Sequence, residues 1–395
     1  MTLNNRVPDI APDLASLNTF MGVVPRDRFD PQGMTTFHNN LVRPSSHVGL
    51  DAQLVELDVT QHSGFNIGNN PVVQTVAPPV MENGKLKLSK SLTYRYYAGK
   101  HTFTRVGDGS NDVILTATPV EYGGTNLMPA DKLKQGQKGL QGALIIEPAG
   151  SAWVEDDGTR TAATVYLNGD KTDNSPGNTF RDFAVVMQKG QSHRYADGSP
   201  IENIEGGVAG IAEDSQDMGQ MAVNFATEPL WFRFGIGPNA PFGNAGTPNS
   251  FGAIPNAHMA YSNALGGGDP ETPVFEANAG QEVRMRILMP HGIGRGTTFN
   301  LHGHVWQRDP YICPREADLG LTGKCEPGGV GSTAIGHNPI GMYLGGQESV
   351  NGSEHFEVRL PSAGGSYGVP GDYLFRDQSS FGNLSGLWGI MRVNE

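Results

Sequence analysis

Two histidines, His302 and His304, stand two residues apart in Thr297-Thr-Phe-Asn-Leu-His-Gly-His-Val-Trp306. Alternate residues of a strand face the same way, so this pair could pinch a metal ion with a third ligand. The alternative is a core strand whose histidines hydrogen-bond to backbone and pack against Trp306. His47, His62, His101, His193, His258, His291, His337 and His355 have no mutual spacing that makes a metal site. Residues 107–112 and 168–174, rich in Asp and Asn, offer oxygen ligands for calcium or are simply turns. Cys313 and Cys325 share one Pro/Gly-rich stretch. A local disulfide there would contribute roughly 3 kcal/mol, and two free thiols are the alternative. No Ser/His/Asp constellation, nucleophile elbow, phosphate loop or dinucleotide fingerprint is present.

The elements that must position these groups read as strands. Residues 53–59, 112–118, 142–147, 161–166, 183–187, 282–288 and 355–360 are rich in β-branched and apolar types, between clusters of Gly, Pro, Asn and Asp. Val283, Met285 and Ile287 alternate with Arg284 and Arg286, the pattern of a strand with one buried face. No long amphipathic helix competes. The chain reads as all-β, built from sandwiches rather than a closed barrel. Residues 140–148 and 386–393 end in the same style, suggesting two copies of one domain type: residues 1–150, and residues 151–395 with a loop-rich insertion at about 189–272. The opening Thr2-Leu-Asn-Asn-Arg resembles the end of a strand, so the first domain is expected to lack its first strands or to have a frayed start.

Composition narrows the function. The 395 residues carry 28 Lys+Arg against 40 Asp+Glu, a formal charge of −12. Phosphate binding needs clustered cations, so nucleic acid is not an expected partner. No run of 18 apolar residues suggests a membrane span, and residues 1–30 show no basic-then-apolar leader pattern. Gly and Pro make up about a fifth of the chain, which reads as many turns.

The segment ending in His302-Gly-His304-Val-Trp306 resembles the C-terminal copper motif of the multicopper oxidase family, His-x-x-His-x-His-Gly-His, and residues 371–389 resemble its second landmark, His-Cys-His followed by His and an axial residue. Thr35-Thr-Phe-His-Asn-Asn-Leu41 and Thr93-Tyr-Arg-Tyr-Tyr-Ala-Gly99 resemble the two ligand strands of that family's first domain. The resemblance implies two cupredoxin-like Greek-key sandwiches. It places Thr297, Asp377, Gly382 and Leu387 at the mononuclear copper positions, and Asn300, His302, Arg376 and Gln378 with His38, Asn40, Tyr97 and Gly99 at the trinuclear ones. Spacing is kept while most ligands are replaced, leaving His38 and His302 as family ligands and His38, His302 and His304 as a remnant copper site.

The wider phrases Asn40-Leu-Val-Arg-Pro-Ser-Ser-His-Val-Gly-Leu50 and Gly371-Asp-Tyr-Leu-Phe-Arg-Asp-Gln378 are similar to the C-terminal part of large bacterial, manganese-oxidase-like members. The resemblance implies a non-catalytic portion or subunit of an exported oxidase, extracellular or periplasmic. Its copper would lie in the full assembly, and its partners would be other cupredoxin domains or further copies joined by strand addition at the N-terminal edge. A structural or surface-assembly protein without redox activity is the alternative. Arg376 and Asp377 are expected to replace the metal's cross-link with hydrogen bonds or ion pairs.

Overall fold

The computed structural model describes residues 1–7, 44–107, 111–119, 123–132, 134–191, 221–236, 243–254, 257–292, 296–306, 347–378, 382–383 and 385–395. Over these residues the chain is an all-β sandwich with only short helical turns. The first part supplies β1 (Thr2–Leu3), β2 (Leu50–Ala52), β3 (Val80–Glu82), β4 (Lys85–Lys87), β5 (Leu92–Thr93), β6 (Gly99–Arg105), β7 (Val113–Pro119), β8 (Gly123–Pro129) and β9 (Gly142–Ile146). They form a three-stranded sheet, β2-β8-β9, and the ribbons β1-β5, β3-β4 and β6-β7.

The second part supplies β10 (Ala152–Glu155), β11 (Ala162–Tyr166), β12 (Thr179–Gln188), β13 (Ala222–Val223), β14 (Val274–Asn278), β15 (Val283–Leu288), β16 (Thr297–Leu301), β17 (Gln347–Val350), β18 (His355–Leu360), β19 (Gly371–Asp377) and β20 (Trp388–Asn394). One sheet runs β10-β11-β12-β15-β18, with β13 also on β12, and the other runs β14-β20-β19-β16-β17. Strands β12 and β15 are parallel, as are β14 and β20.

The core lies between these two sheets. Phe183, Val185, Val283, Met285 and Ile287 from one sheet meet Phe275, Phe299, Phe375 and Met391 from the other. Phe183 stacks on Phe275 at 4.8 Å across the two layers, and Phe275 stacks on Phe375 at 5.8 Å within the second of them. In the region of 189–272, described residues form short turns such as Leu230–Arg233 and Ala257–Tyr261. They pack on the second sheet, where Tyr261 stands edge-on to Trp388 at 5.1 Å.

Two sequence expectations need correction. Residues 53–59 are not a strand: β2 stops at Ala52, Leu54 takes φ 61°, and within that span Glu56 makes one bridge to Tyr97. A left-handed residue ends regular pairing even where side chains alternate suitably. Strand β15 is buried on both faces, with Arg284 and Arg286 as inaccessible as their apolar neighbours. The reason is a third layer, because β8 and β9 lie against the outer face of the six-stranded sheet.

Candidate metal centre

Strands β16 and β19 are hydrogen-bonded neighbours with Phe299 opposite Asp377 and Asn300 opposite Arg376. Asp377 is wholly buried, and its Oδ1 accepts the Thr298 N–H at 3.0 Å. The Asp377 N–H donates to the Leu387 carbonyl at 3.0 Å, and the Leu387 N–H donates to the Gly382 carbonyl at 2.8 Å. A Cβ at Gly382 would sit 2.2 Å from Asp377 Oδ2, so only glycine lets that loop close on the carboxylate. Thr297 is buried one residue before this acceptor's partner, with its Oγ1 unpaired.

The fold thus gathers Thr297, Asp377, Gly382 and Leu387, the positions that the resemblance assigns to a mononuclear copper, around one buried carboxylate. A hydroxyl, a carboxylate, a glycine and a leucine provide neither the imidazoles nor the thiolate of a blue-copper site, so the residues do not fit that metal. What they do is stitch β16, β19, Gly382 and Leu387 together through backbone N–H groups. Charge-assisted hydrogen bonds of this kind offset the cost of burying a carboxylate.

The remaining positions are dispersed. Asn300 and Arg376 are cross-strand partners. The Arg376 guanidinium lies 5.8 Å from the Tyr261 ring, while its Nε is buried without a partner. Gln378 is exposed. Tyr97 stacks on His101 at 4.3 Å and folds across Gly99, where a Cβ would stand 2.4 Å from the Tyr97 hydroxyl. His38, Asn40, Cys313 and Cys325 lie outside the described residues.

His302 and His304 do not share a face. Strand β16 ends at Leu301, and Gly303 at φ 72° turns the chain, so His302 is exposed and His304 is buried. His304 Nε2 accepts the N–H groups of Gly364 and Gly365, each at 3.1 Å, which puts the ring proton on Nδ1, 3.2 Å from the His302 carbonyl. Both nitrogens are therefore committed to backbone, and the ring stands edge-on to Tyr373 at 4.5 Å. Burial holds the His304 imidazole below the usual histidine range, with the His302 carbonyl acting in the opposite direction. Among the described residues no three His, Cys, Asp or Glu side chains group as a metal site. In residues 168–174, Asp170 Oδ1 is occupied by the Thr172 N–H at 2.9 Å and hydroxyl at 2.7 Å, a turn closing on itself.

The densest charge cluster sits where strand alternation predicts only a polar outer face. Arg286, wholly buried, binds Asp182 of β12 at 2.7 Å, Glu147 just after β9 at 3.2 Å, and Glu357 of β18. The Gly124 N–H of β8 donates to Glu357 at 3.1 Å, and Asn126 Nδ2 donates to the Glu354 carbonyl at 3.1 Å. These contacts join the three-stranded sheet to the sandwich. Beside the junction His291 is buried with both ring nitrogens unpartnered, against Gly136, and burial followed by the charge of Lys132 pushes it down to about 4. The alternation of Arg with apolar residues in 282–288 is the available signal, but nothing local says which face is covered.

No family model matches this chain, and no curated protein matches it in sequence. Among solved structures it is similar to a multicopper oxidase at 11% identity and TM-score 0.37, covering 88% of this chain and 70% of that one. It is also similar to a copper nitrite reductase from Nitrosomonas europaea (10%, TM-score 0.37, 88% and 75% covered). A copper-containing nitrite reductase from Thermus scotoductus SA-01 aligns at 10% and TM-score 0.33, with 88% of this chain and 49% of that chain covered. The functional reading therefore rests on this chain's own residues.

Proposed function

We propose that this chain is a non-catalytic, cupredoxin-like portion or subunit of an exported, extracellular or periplasmic multicopper oxidase, of the manganese-oxidase-like kind that the sequence resembles. It would comprise two domains divided near residue 150. Copper carried elsewhere in the assembly would take electrons from a metal ion or phenol-like donor and pass them to oxygen. This chain's own residues build a frame. The observation that carries the reading is Asp377: at a position where the resemblance puts a metal ligand, a wholly buried carboxylate accepts the Thr298 N–H and closes on Gly382. A hydrogen-bonded cross-link does the mechanical work of a metal without its redox chemistry.

A second reading, a surface-assembly protein that pairs strands with further copies, is favoured by the ribbon β6-β7. Its Phe103, Ile114 and Leu115 are each more than half exposed, and apolar strands left open invite pairing. Copper reconstitution followed by metal analysis, absorption spectroscopy and oxygen uptake tests the first reading. The expected result is no blue thiolate-to-copper band and no turnover from this chain alone. Stoichiometric copper with turnover would overturn it, and concentration-dependent oligomers without a copper-bearing partner would favour the second.

A further inference from the structure

We propose that Arg376, Tyr261 and Asn383 form a binding site for a small carboxylate on the outer face of the second sheet. On β19, Arg376 lies between its cross-strand neighbours, Asn300 of β16 and Trp388 of β20, and alternation turns it away from the core that takes Phe375. Tyr261 stands edge-on to Trp388. Its hydroxyl oxygen accepts the Asn383 Nδ2–H at 2.9 Å, and Arg376 Nη1 reaches the same atom at 3.5 Å.

Two features call for an anion. The first is that donors converge without an acceptor. With both lone pairs of the Tyr261 oxygen taken, its own proton is left to donate. On the guanidinium, Nη1 is spent on Tyr261, Nε is buried without a partner, and Nη2 hydrogen-bonds nothing among the described residues. Nε–H and Nη2–H run parallel along one edge of an arginine, and that edge matches the two oxygens of a carboxylate. A buried N–H without an acceptor is destabilising, and a bound carboxylate removes that cost. The second feature is a charge without a counter-ion. Arg181, Arg233, Arg284, Arg286, Arg359 and Arg392 each pair with a carboxylate, whereas half-buried Arg376 makes no ion pair among the described residues. The chain has 40 Asp+Glu against 28 Lys+Arg, so placement and not scarcity leaves this cation alone. The site gives the chain a ligand of its own, beyond the frame proposed above, which rests on Asp377 and does not depend on it.

Nuclear magnetic resonance of the arginine Nε–H groups tests it, with acetate, acetamide and chloride as probes and the Arg376 signal assigned by its loss in Arg376→Lys. Acetate should shift that signal saturably with a Kd of about 1 mM, a modest affinity suited to so few atoms. Acetamide has the shape without the charge, and chloride has the charge without the fork, so each should bind about tenfold more weakly or worse. Tyr261→Phe keeps the ring against Trp388 and should weaken acetate about threefold. Acetate at constant ionic strength should also raise the melting temperature of the wild-type chain. Arg376→Lys, folded by circular dichroism and still cationic, should lose that rise because a point charge replaces the fork. No saturable shift at the Arg376 Nε–H, equal binding of acetamide or chloride, or an undiminished acetate effect in Arg376→Lys would each overturn the proposal.

Discussion

The two parts of the chain are held by different forces. Between the sheets of the second part, aromatic and aliphatic side chains fill a continuous core, and Phe183, Phe299, Val283, Met285 and Ile287 are all completely inaccessible. The first part has a small sheet, where Ala52 and Leu127 are buried, and ribbons such as β6-β7, whose Phe103, Ile114 and Leu115 remain largely in water. It is fastened to the sandwich by polar contacts: Arg286 with Glu147, Gly124 with Glu357, Asn126 with the Glu354 carbonyl. Non-directional burial stabilises the one, and charge placement locates the other.

The largest effect should come from breaking the first kind of force. Phe299→Ala, which removes a ring packed against Phe375 and Trp306, is expected to cost about 3–5 kcal/mol in urea denaturation. A loss below about 1 kcal/mol would mean the sandwich core is not continuous. Arg286→Ala strikes the second kind by leaving three carboxylates short of a cation. It should cost about 3 kcal/mol and also increase proteolysis near residues 148–151 as the parts separate. Equal protection of that segment in the variant would contradict the assigned role.

Acidification probes the same junction. The folded value of His291 lies near 4, against 6.5 for the ordinary imidazole, so the unfolded chain takes the proton first. Its contribution is complete above about pH 6.5 and is lost as pH falls toward 4, by about 3 kcal/mol at the end of that window. His291→Gln should flatten the urea midpoint against pH between those limits, although His304 and His355, also lowered by burial, leave part of the slope. An unchanged slope would remove His291 from the account. The smallest effect is expected inside the sandwich, where Asp377→Asn keeps the Thr298 contact but weakens it, costing about 1–2 kcal/mol. A stabilised variant would show that the carboxylate is not a cross-link.

Some of this is legible in residue order. The strand at 282–288, with Val283, Met285 and Ile287 turned inward, follows from alternation alone, as do β11 and β18. The kept spacing of Thr297, Asp377, Gly382 and Leu387 also lets those positions be brought into one neighbourhood on paper. His302 and His304 show where such reading stops. Their separation fits a shared face, but the glycine between them is a turn, and a period-two argument holds only while the strand continues.

The sequence by itself determined the all-β character and the apolar stripe of each core strand, because both are set by neighbours two residues apart. Tertiary structure alone decided that Arg286 is buried among carboxylates from β12, β18 and the chain just after β9, that His304 spends its nitrogens on backbone, and that Asp377 is closed over by Gly382. Each of these depends on a partner distant in sequence or on a turn that redirects the chain. Burial and electrostatic environment are properties of what covers a residue, and no local pattern encodes the cover.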